Sequence, residues 1–212
     1  MKQNYTHITF VVDRSGSMSS CWPDVVGGYS SFVAKNQAQD GDCSFSLVAF
    51  DTEYTVPVDF QPIGQVSANI GVEPRGCTAL LDAVGKAITQ TRERINALAE
   101  AERPEKVLFV IQTDGMENAS KEFTNETLKS AITAREGDGW EFMFLGAGKE
   151  FLNQAASMGI KSANTAHYDP KNMGQTMNMV TNKAMAYRSA DCLVSGEAAV
   201  SFSDDERNEL VE

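Results

Sequence analysis

Five oxygen-bearing side chains in this chain of 212 residues stand where apolar runs end or a long helical pattern begins. Asp13, Ser15 and Ser17 follow the first apolar run, Ile8 to Val12, in the stretch Asp13-Arg14-Ser15-Gly16-Ser17-Met18. In an extended loop alternate residues face the same side. One carboxylate and two hydroxyls are therefore presented together, a ligand set that suits a hard divalent cation such as Mg2+ or Mn2+. Gly16 lets the backbone turn sharply between the two serines. Asp114 ends a second apolar run and precedes Gly115, and Thr78 sits in Arg75-Gly76-Cys77-Thr78-Ala79-Leu80 just before a long helix. In a doubly wound sheet, ligands bind beyond the carboxyl ends of the strands, where the connections diverge. If the strands ending at Asp13 and Asp114 are neighbours there, the two carboxylates converge and Thr78 arrives from the loop between them. Two carboxylates, three hydroxyls and open positions for water suit octahedral Mg2+, which keeps several waters. A carboxylate from a partner protein can take one of those positions.

The elements that must position these residues follow from hydrophobic period. Strand signals alternate with helix signals, which predicts a mostly parallel sheet with helices on both faces. Strand signals cover about Thr6–Val12, Cys43–Phe50, Glu53–Asp59, Lys106–Thr113, Glu141–Leu145 and Ala163–Tyr168. The link Asp51-Thr52 is short enough only for a hairpin, so the third strand is expected to be antiparallel and, with Pro57 inside it, at an edge. Helix 1 carries Trp22, Val25, Val26, Tyr29, Phe32 and Val33 at helical spacing, with Pro23 in its first turn. A long helix follows Thr78, with Leu81, Val84, Ile88, Ile95 and Leu98 on one face. Shorter helices are expected near Asn125–Arg135 and Glu150–Met158. The last long helix is expected to open at Asp169-Pro170, its inner face Met173, Met177, Val180, Ala184 and Tyr187. Residues 196–212 read as an acidic tail with a capping box, Ser203-Asp204-Asp205-Glu206, and a short helix. The expected division is a domain over 1–195 and a tail over 196–212.

Composition bounds the function. The net charge of −11, from 18 basic and 29 acidic residues, argues against nucleic acid or an anionic membrane as partner. No apolar run approaches the roughly 18 residues of a membrane span, and Met1 to Val12 lacks the pattern of a signal peptide. Cys21, Cys43, Cys77 and Cys192 are widely spaced and read as reduced thiols, so the expected location is cytoplasmic.

Asp13-x-Ser15-x-Ser17 with Thr78 and Asp114-Gly115 resembles the metal-ion-dependent adhesion site of von Willebrand factor A domains, over roughly residues 5–190. The resemblance implies a six-stranded sheet ordered 3-2-1-4-5-6, Mg2+ or Mn2+ binding, and capture of an acidic residue on a protein partner. It implies that Ser15, Ser17 and Thr78 coordinate directly while Asp13 and Asp114 act partly through water. This copy resembles the stand-alone intracellular versions from bacteria and their phages more than adhesion ectodomains.

Other residues carry weaker signals. Cys21 and Cys77 flank the two metal loops, which leaves a facing or redox-sensitive pair open beside the ordinary reading of inert thiols. Asp82, one turn after Thr78, either bonds within the site or supports the helix. Arg75 either meets an acidic partner or is solvated, and Glu117 and Asn118 belong to the rim or to a solvated loop. His7 and His167 have no ligand or triad spacing. Gly146-Ala147-Gly148-Lys149 lacks the leading glycine and the final Ser or Thr of a phosphate-binding loop. Three functions compete. The first is a non-catalytic, metal-dependent protein-binding module. The second is a Mg2+-dependent phosphohydrolase with Asp13 as nucleophile, for which the acid expected two residues on is instead Ser15. The third is self-assembly in which Asp204, Asp205, Glu206 or Glu209 reaches a neighbour's metal, at most a weak association of monomers.

Overall fold

The computed structural model describes residues 1–190 and 196–211. The six strands are β1 (Lys2–Asp13), β2 (Asp42–Phe50), β3 (Tyr54–Pro62), β4 (Pro104–Thr113), β5 (Trp140–Ala147) and β6 (Thr165–Tyr168). They form one sheet in the order β3-β2-β1-β4-β5-β6. Every pairing is parallel except β2–β3, the antiparallel hairpin at one edge. The order reverses beside β1: the chain runs outward through β2 and β3, then returns to β4 on the other side. Asp13 and Asp114 thus end up at adjacent carboxyl strand ends, at the switch point.

Helices α1 (Trp22–Ala38) and α5 (Met173–Ser189) cover one face, and α2 (Leu80–Ala97), α3 (Asn125–Gly137) and α4 (Glu150–Ser157) the other. Because side chains alternate along a strand, β4 feeds both layers: Leu108 and Val110 pack under α1 and α5, and Val107, Phe109 and Ile111 under α2 and α3. That is why its sequence is apolar without alternation. Each such side chain contributes about 1.5–3 kcal/mol when fully buried, and this double-sided core makes the strand ends rigid. The expected stripe of α1 is buried, and Pro23 lies in its first turn. Where α1 crosses α5, Gly28 leaves room for Met177: a Cβ on Gly28 would collide with the methionine side chain.

Differences from expectation have local causes. β1 starts at Lys2 rather than near Thr6, because its first residues are exposed and polar yet still pair alongside β4. β3 runs on to Pro62 with register irregularities, and Phe60 takes a left-handed φ of 51°. Asp169 caps a single tight turn, Pro170–Asn172, and the regular helix begins only at Met173. Leu98 lies beyond the end of α2 and is only half-buried. The tail contains α6 (Gly196–Val200) and α7 (Asp204–Glu209), the latter with the Ser203–Glu206 capping box in place. It is anchored as well as acidic: Val200, Phe202 and Leu210 are buried, Phe202 N donates to Ala163 O (2.8 Å), and Asp169 N donates to Leu210 O (2.9 Å). These bonds and Arg207, which reaches the carbonyls of Ser162 and Ala163, cover the approach to β6. Cys192 lies outside the described residues. Cys21, Cys43 and Cys77 are free thiols.

His7 lies on β1, fully buried, between Ser44 Oγ (2.8 Å) and Thr9 Oγ1 (3.0 Å), with its ring stacked on Phe60. Burial pushes its pKa down to about 3. The unfolded chain takes up this proton near pH 6.5 and the folded chain only near 3, so the stability it contributes is complete above pH 6.5 and is lost as pH falls toward 3. In a proton NMR titration the ring resonances of His7 are expected to stay at their neutral positions down to about pH 4. A midpoint near 6.5 would show the ring to be accessible.

Candidate metal centre

The loop after β1 is held from three sides. Arg14 N donates to Phe50 O at the end of β2 (2.8 Å), Arg75 N donates to Arg14 O (2.6 Å), and Gly16 N donates to Gly76 O (3.1 Å). The loop bearing Ser15 and Ser17 is therefore laced to the loop bearing Thr78. Met18 plugs the turn into the core with no exposed surface.

Within this frame the five residues converge. Asp13 is fully buried. Its Oδ1 accepts the Ser15 backbone N–H (2.6 Å) and its Oδ2 the Thr113 hydroxyl (2.5 Å). Ser15 Oγ and Ser17 Oγ are 3.0 Å apart, and Ser17 Oγ donates to Asp114 Oδ1 (2.6 Å). Thr78 is buried, its N–H donating to Asn118 Oδ1 (3.1 Å) and its carbonyl accepting from Asn118 N and Ala119 N. Gly115 closes the ring: a Cβ there would collide with Thr78 Oγ1 and come within 3.2 Å of Ser15 Oγ. The residue after Asp114 must therefore lack a side chain for these hydroxyls to meet.

A divalent cation fits this donor set. Adjacent oxygens of an octahedral Mg2+ shell with 2.0–2.1 Å bonds are about 2.9 Å apart. The Ser15–Ser17 separation of 3.0 Å matches that edge, and Ser17–Asp114 at 2.6 Å is slightly shorter. Among the described residues no cluster of three or more His, Cys, Asp or Glu is suited to a metal, so a cation here depends on hydroxyls and water. Burial pushes Asp13 up to about pKa 6, against the hydrogen bonds from Thr113 and Ser15. Burial also raises Asp114, against the bond from Ser17. Both carboxylates thus lack the compensating charge that a cation would supply.

Several residues around the centre left no clear signal in the sequence. Asp51, at the end of β2, is buried and accepts from Glu53 N (2.6 Å). Its Oδ2 lies 3.0 Å from both Arg14 Nε and Arg75 Nε. Arg14 is buried and its Nη2 has no hydrogen-bond partner among the described residues, so Asp51 is its counter-charge. Arg75 also pairs with Glu53 and stays half-exposed. Glu117 is neither a rim ligand nor solvated: its carboxylate accepts from Leu81 N, Ala119 N, Ser120 N and Ser120 Oγ, tying the 117–120 loop to the start of α2. Asp82 likewise serves the scaffold: against the upward push of burial, the backbone donors of residues 121–123 hold its carboxyl below the usual range. Asp51 occupies a carboxyl strand end just as Asp13 does. That position was a usable signal, obscured by the hairpin reading of Asp51-Thr52. Cys21 is buried in the α1–α5 layer, whereas Cys77 is exposed on a cleft of about 340 Å³ beside Asp51 and Lys86.

The sequence profile of the von Willebrand factor type A domain matches residues 7–183. No curated protein matches the chain. Among solved structures, proximal thread matrix protein 1 from the mussel byssus, with a zinc-occupied MIDAS motif, is 18% identical with a TM-score of 0.60, over 85% of this chain and 46% of that one. The vWF domain of the type V pili tip protein Mfa5 from Porphyromonas gingivalis is 10% identical with a TM-score of 0.64, over 88% and 97%. Manganese-loaded TRAP protein of Plasmodium vivax is 14% identical with a TM-score of 0.53, over 82% and 72%. The chain spans less than half the length of the first structures it matches. At these identities the likeness is one of fold.

Two outcomes follow from the geometry. Asp51→Ala strands the buried Arg14 charge and is expected to cost about 3–5 kcal/mol in chemical denaturation. Arg75→Ala removes a half-exposed partner and is expected to cost about 0–1 kcal/mol. Equal losses would place the charge balance elsewhere. Asp13→Asn keeps the shape, since Asn can accept from Ser15 N and donate to Thr113 Oγ1. In chelator at pH 7.5 it is expected to stabilise the fold by about 3 kcal/mol, because burial pushes the Asp13 carboxyl from 3.8 up to about 6. A raised folded-state pKa makes the ionised form destabilising, so the gain should shrink as pH falls below 6 and vanish near 4. A destabilised Asp13→Asn in chelator would show that the ionised carboxylate is compensated within the protein.

Proposed function

The chain belongs to the von Willebrand factor type A family, and from that premise we propose that it is a non-catalytic protein-binding module. In this reading Asp13, Ser15, Ser17, Thr78 and Asp114 hold one Mg2+ or Mn2+, and an aspartate or glutamate of a partner protein completes the shell. The observation that carries it is the run of close oxygens from Ser15 Oγ through Ser17 Oγ to Asp114 Oδ1, over a buried Asp13. Both oxygens of Asp13 already accept hydrogen bonds, which supports its acting through water while Ser15, Ser17 and Thr78 coordinate directly. The mussel protein's zinc-occupied MIDAS and the manganese-loaded TRAP lend support by fold-level analogy. The module occupies residues 1–195 and carries 196–212 as an acidic extension. Its free thiols suit the cytoplasm.

The chemistry of the donor set gives the mechanism. The ion supplies a Lewis-acidic position for an incoming carboxylate. Asp13 and Asp114 bring two negative charges, so the loaded site is formally neutral and retains affinity for another anion. Three neutral hydroxyls complete the protein's share without adding charge. Metal alone therefore binds modestly, and metal and acidic partner strengthen each other's binding. The scaffold holds both loops by backbone hydrogen bonds, so little ordering is left to be done on binding.

Calorimetry and thermal melting test the reading. Wild type is expected to bind Mg2+ or Mn2+ and to melt several degrees higher in excess metal than in chelator, since saturation at 100 times Kd stabilises by about 2.7 kcal/mol. Asp13→Asn is expected to lose both the heat of binding and the metal-induced rise. Wild-type melting that ignores both metals, with no heat of binding, would sink the proposal.

A further inference from the structure

Away from the metal centre, the edge strand β3 carries a strained residue over a buried imidazole. Between Val58 and Gln61, β3 places two residues, Asp59 and Phe60, opposite Ser46 alone, which is the pattern of a β-bulge. Phe60 takes a φ of 51°, a conformation that is costly for a bulky side chain. The bulge aims its ring inward, where it stacks on His7 at 4.1 Å and 15°. Its backbone N–H donates to Ser46 Oγ (2.9 Å). Phe60 is only partly buried, whereas His7 has no exposed surface. The Phe60 ring therefore stands between the imidazole and solvent.

Beneath that ring lies a pit of hydroxyls. His7 Nδ1 faces Ser44 Oγ, which also accepts from the Tyr5 hydroxyl (2.8 Å). His7 Nε2 faces Thr9 Oγ1, which is 3.0 Å from Thr91 Oγ1 on α2. None of these groups carries charge at neutral pH. The charged side chains on the surrounding elements are engaged elsewhere. Asp59 of β3 and Arg94 of α2 pair with each other at the rim. Lys106 of β4, in register with Thr6, donates to the carbonyls of Tyr187 and Arg188 at the end of α5. Burial is the one cause that moves the titration of His7. An imidazolium in the pit would thus have neither counter-charge nor water, and both nitrogens would need rehydration. Water reaches the ring once Phe60 moves aside.

We propose that residues 59–61 are a lid, with Phe60 as its plug, that opens when His7 takes up a proton. The lid is bounded by anchors. Val58 and Ile63 are buried on either side, and Gln37 donates to the Ile63 carbonyl (3.0 Å). Between them the chain is held by the Asp59–Arg94 pair, the Phe60–Ser46 bond and the pairing of Gln61 with Phe45. Opening releases these few ties and lets Phe60 return to an extended φ. It uncovers the imidazole, the hydroxyls and the outer edge of β2 beside Ser46. Protonation of one side chain is thereby converted into movement of an edge strand. The lid acts with or without a metal ion, because none of its parts touches the metal centre.

Amide hydrogen exchange on the full chain, followed by NMR, tests the lid. Protection of the Phe60 amide, corrected for the intrinsic pH dependence of exchange, is expected to fall about 25-fold from pH 7 to pH 5. That is the advantage of an open state whose imidazole titrates near 6.5 over a closed one that titrates near 3. Exchange at Phe60 is expected to ignore dilute urea, because opening three residues exposes little surface, while exchange of the central β4 amides accelerates with urea. His7→Gln is expected to make Phe60 protection equal at the two pH values. Phe60→Ala, which leaves His7 and its hydroxyls in place, is expected to move the midpoint of the His7 ring from about 3 to above about 4 in a proton NMR titration. Phe60 protection that is equal at pH 7 and pH 5 in wild type would overturn the proposal. A fall that tracks β4 through the urea series, or one that persists in His7→Gln, would do the same. So would a His7 midpoint that stays below about 4 in Phe60→Ala, since groups other than Phe60 would then keep water from the ring.

Discussion

A carboxylate buried without a counter-charge is the constraint on which this architecture turns. Asp13 has no exposed surface, sits at the end of a central strand and is flanked by Asp114, a second carboxylate raised by burial. Removing an ionised carboxylate from water is expensive unless charge or hydrogen bonds replace its hydration. Two donors, Ser15 N and the Thr113 hydroxyl, do part of this. The remainder of that cost is met by no cationic partner among the described residues. The sheet enforces this arrangement, because β1 and β4 cannot separate without breaking the core on both faces.

Holding these oxygens together requires the loops to be fixed as well as the strand ends. The strand ends do this for Asp13 and Asp114. The loops that carry Ser15, Ser17 and Thr78 need further ties, and here charge takes over from packing. Asp51 draws Arg14 from one loop and Arg75 from the other to a single oxygen. It also cancels cationic charge that would otherwise oppose a metal a few residues away. Glu117 and Asp82 do similar work on the far side of Thr78, each collecting backbone N–H groups that the 117–123 loop leaves without strand partners. An acidic protein thus uses several of its carboxylates as scaffolding, while Asp13 and Asp114, both raised by burial, stand side by side at the centre.

This division explains what could be read from the sequence. A mostly parallel sheet with one antiparallel edge strand was legible, because apolar runs alternate with helical stripes and one link is a two-residue hairpin, whereas the full strand order came only with the family resemblance. The Asp13–Ser15–Ser17 triplet was legible because its spacing is local. Thr78 and Asp114 were legible only once topology brought two strand ends together. Asp51 and Glu117 were not, and Asp82 only as one of two alternatives, because the bonds by which they tie one loop to another run to backbone groups or arginines 24 to 41 positions away. No periodicity encodes such pairs, and a turn aspartate looks the same whether it is solvated or buried. The start of α5 was misplaced for a related reason. Asp169-Pro170 satisfies the rules for a helix start, but the first three residues close as a tighter turn before the regular helix begins.

Gly115 shows how narrow the tolerance at the centre is. Its backbone follows Asp114 directly, and its N–H donates to the Thr113 hydroxyl (3.1 Å), which in turn holds Asp13. Any side chain there would displace Thr78 Oγ1, and with it the one hydroxyl that comes from a different loop. Thr78 has its own fixed tether, since Asn118 and Ala119 clamp its backbone. It cannot yield to a Cβ without pulling on the start of α2. The requirement for glycine thus arises from two rigid elements converging on one point: a strand end on one side and a helix start on the other. The oxygens meet because neither element can move, and the position between them is left to a residue with no side chain.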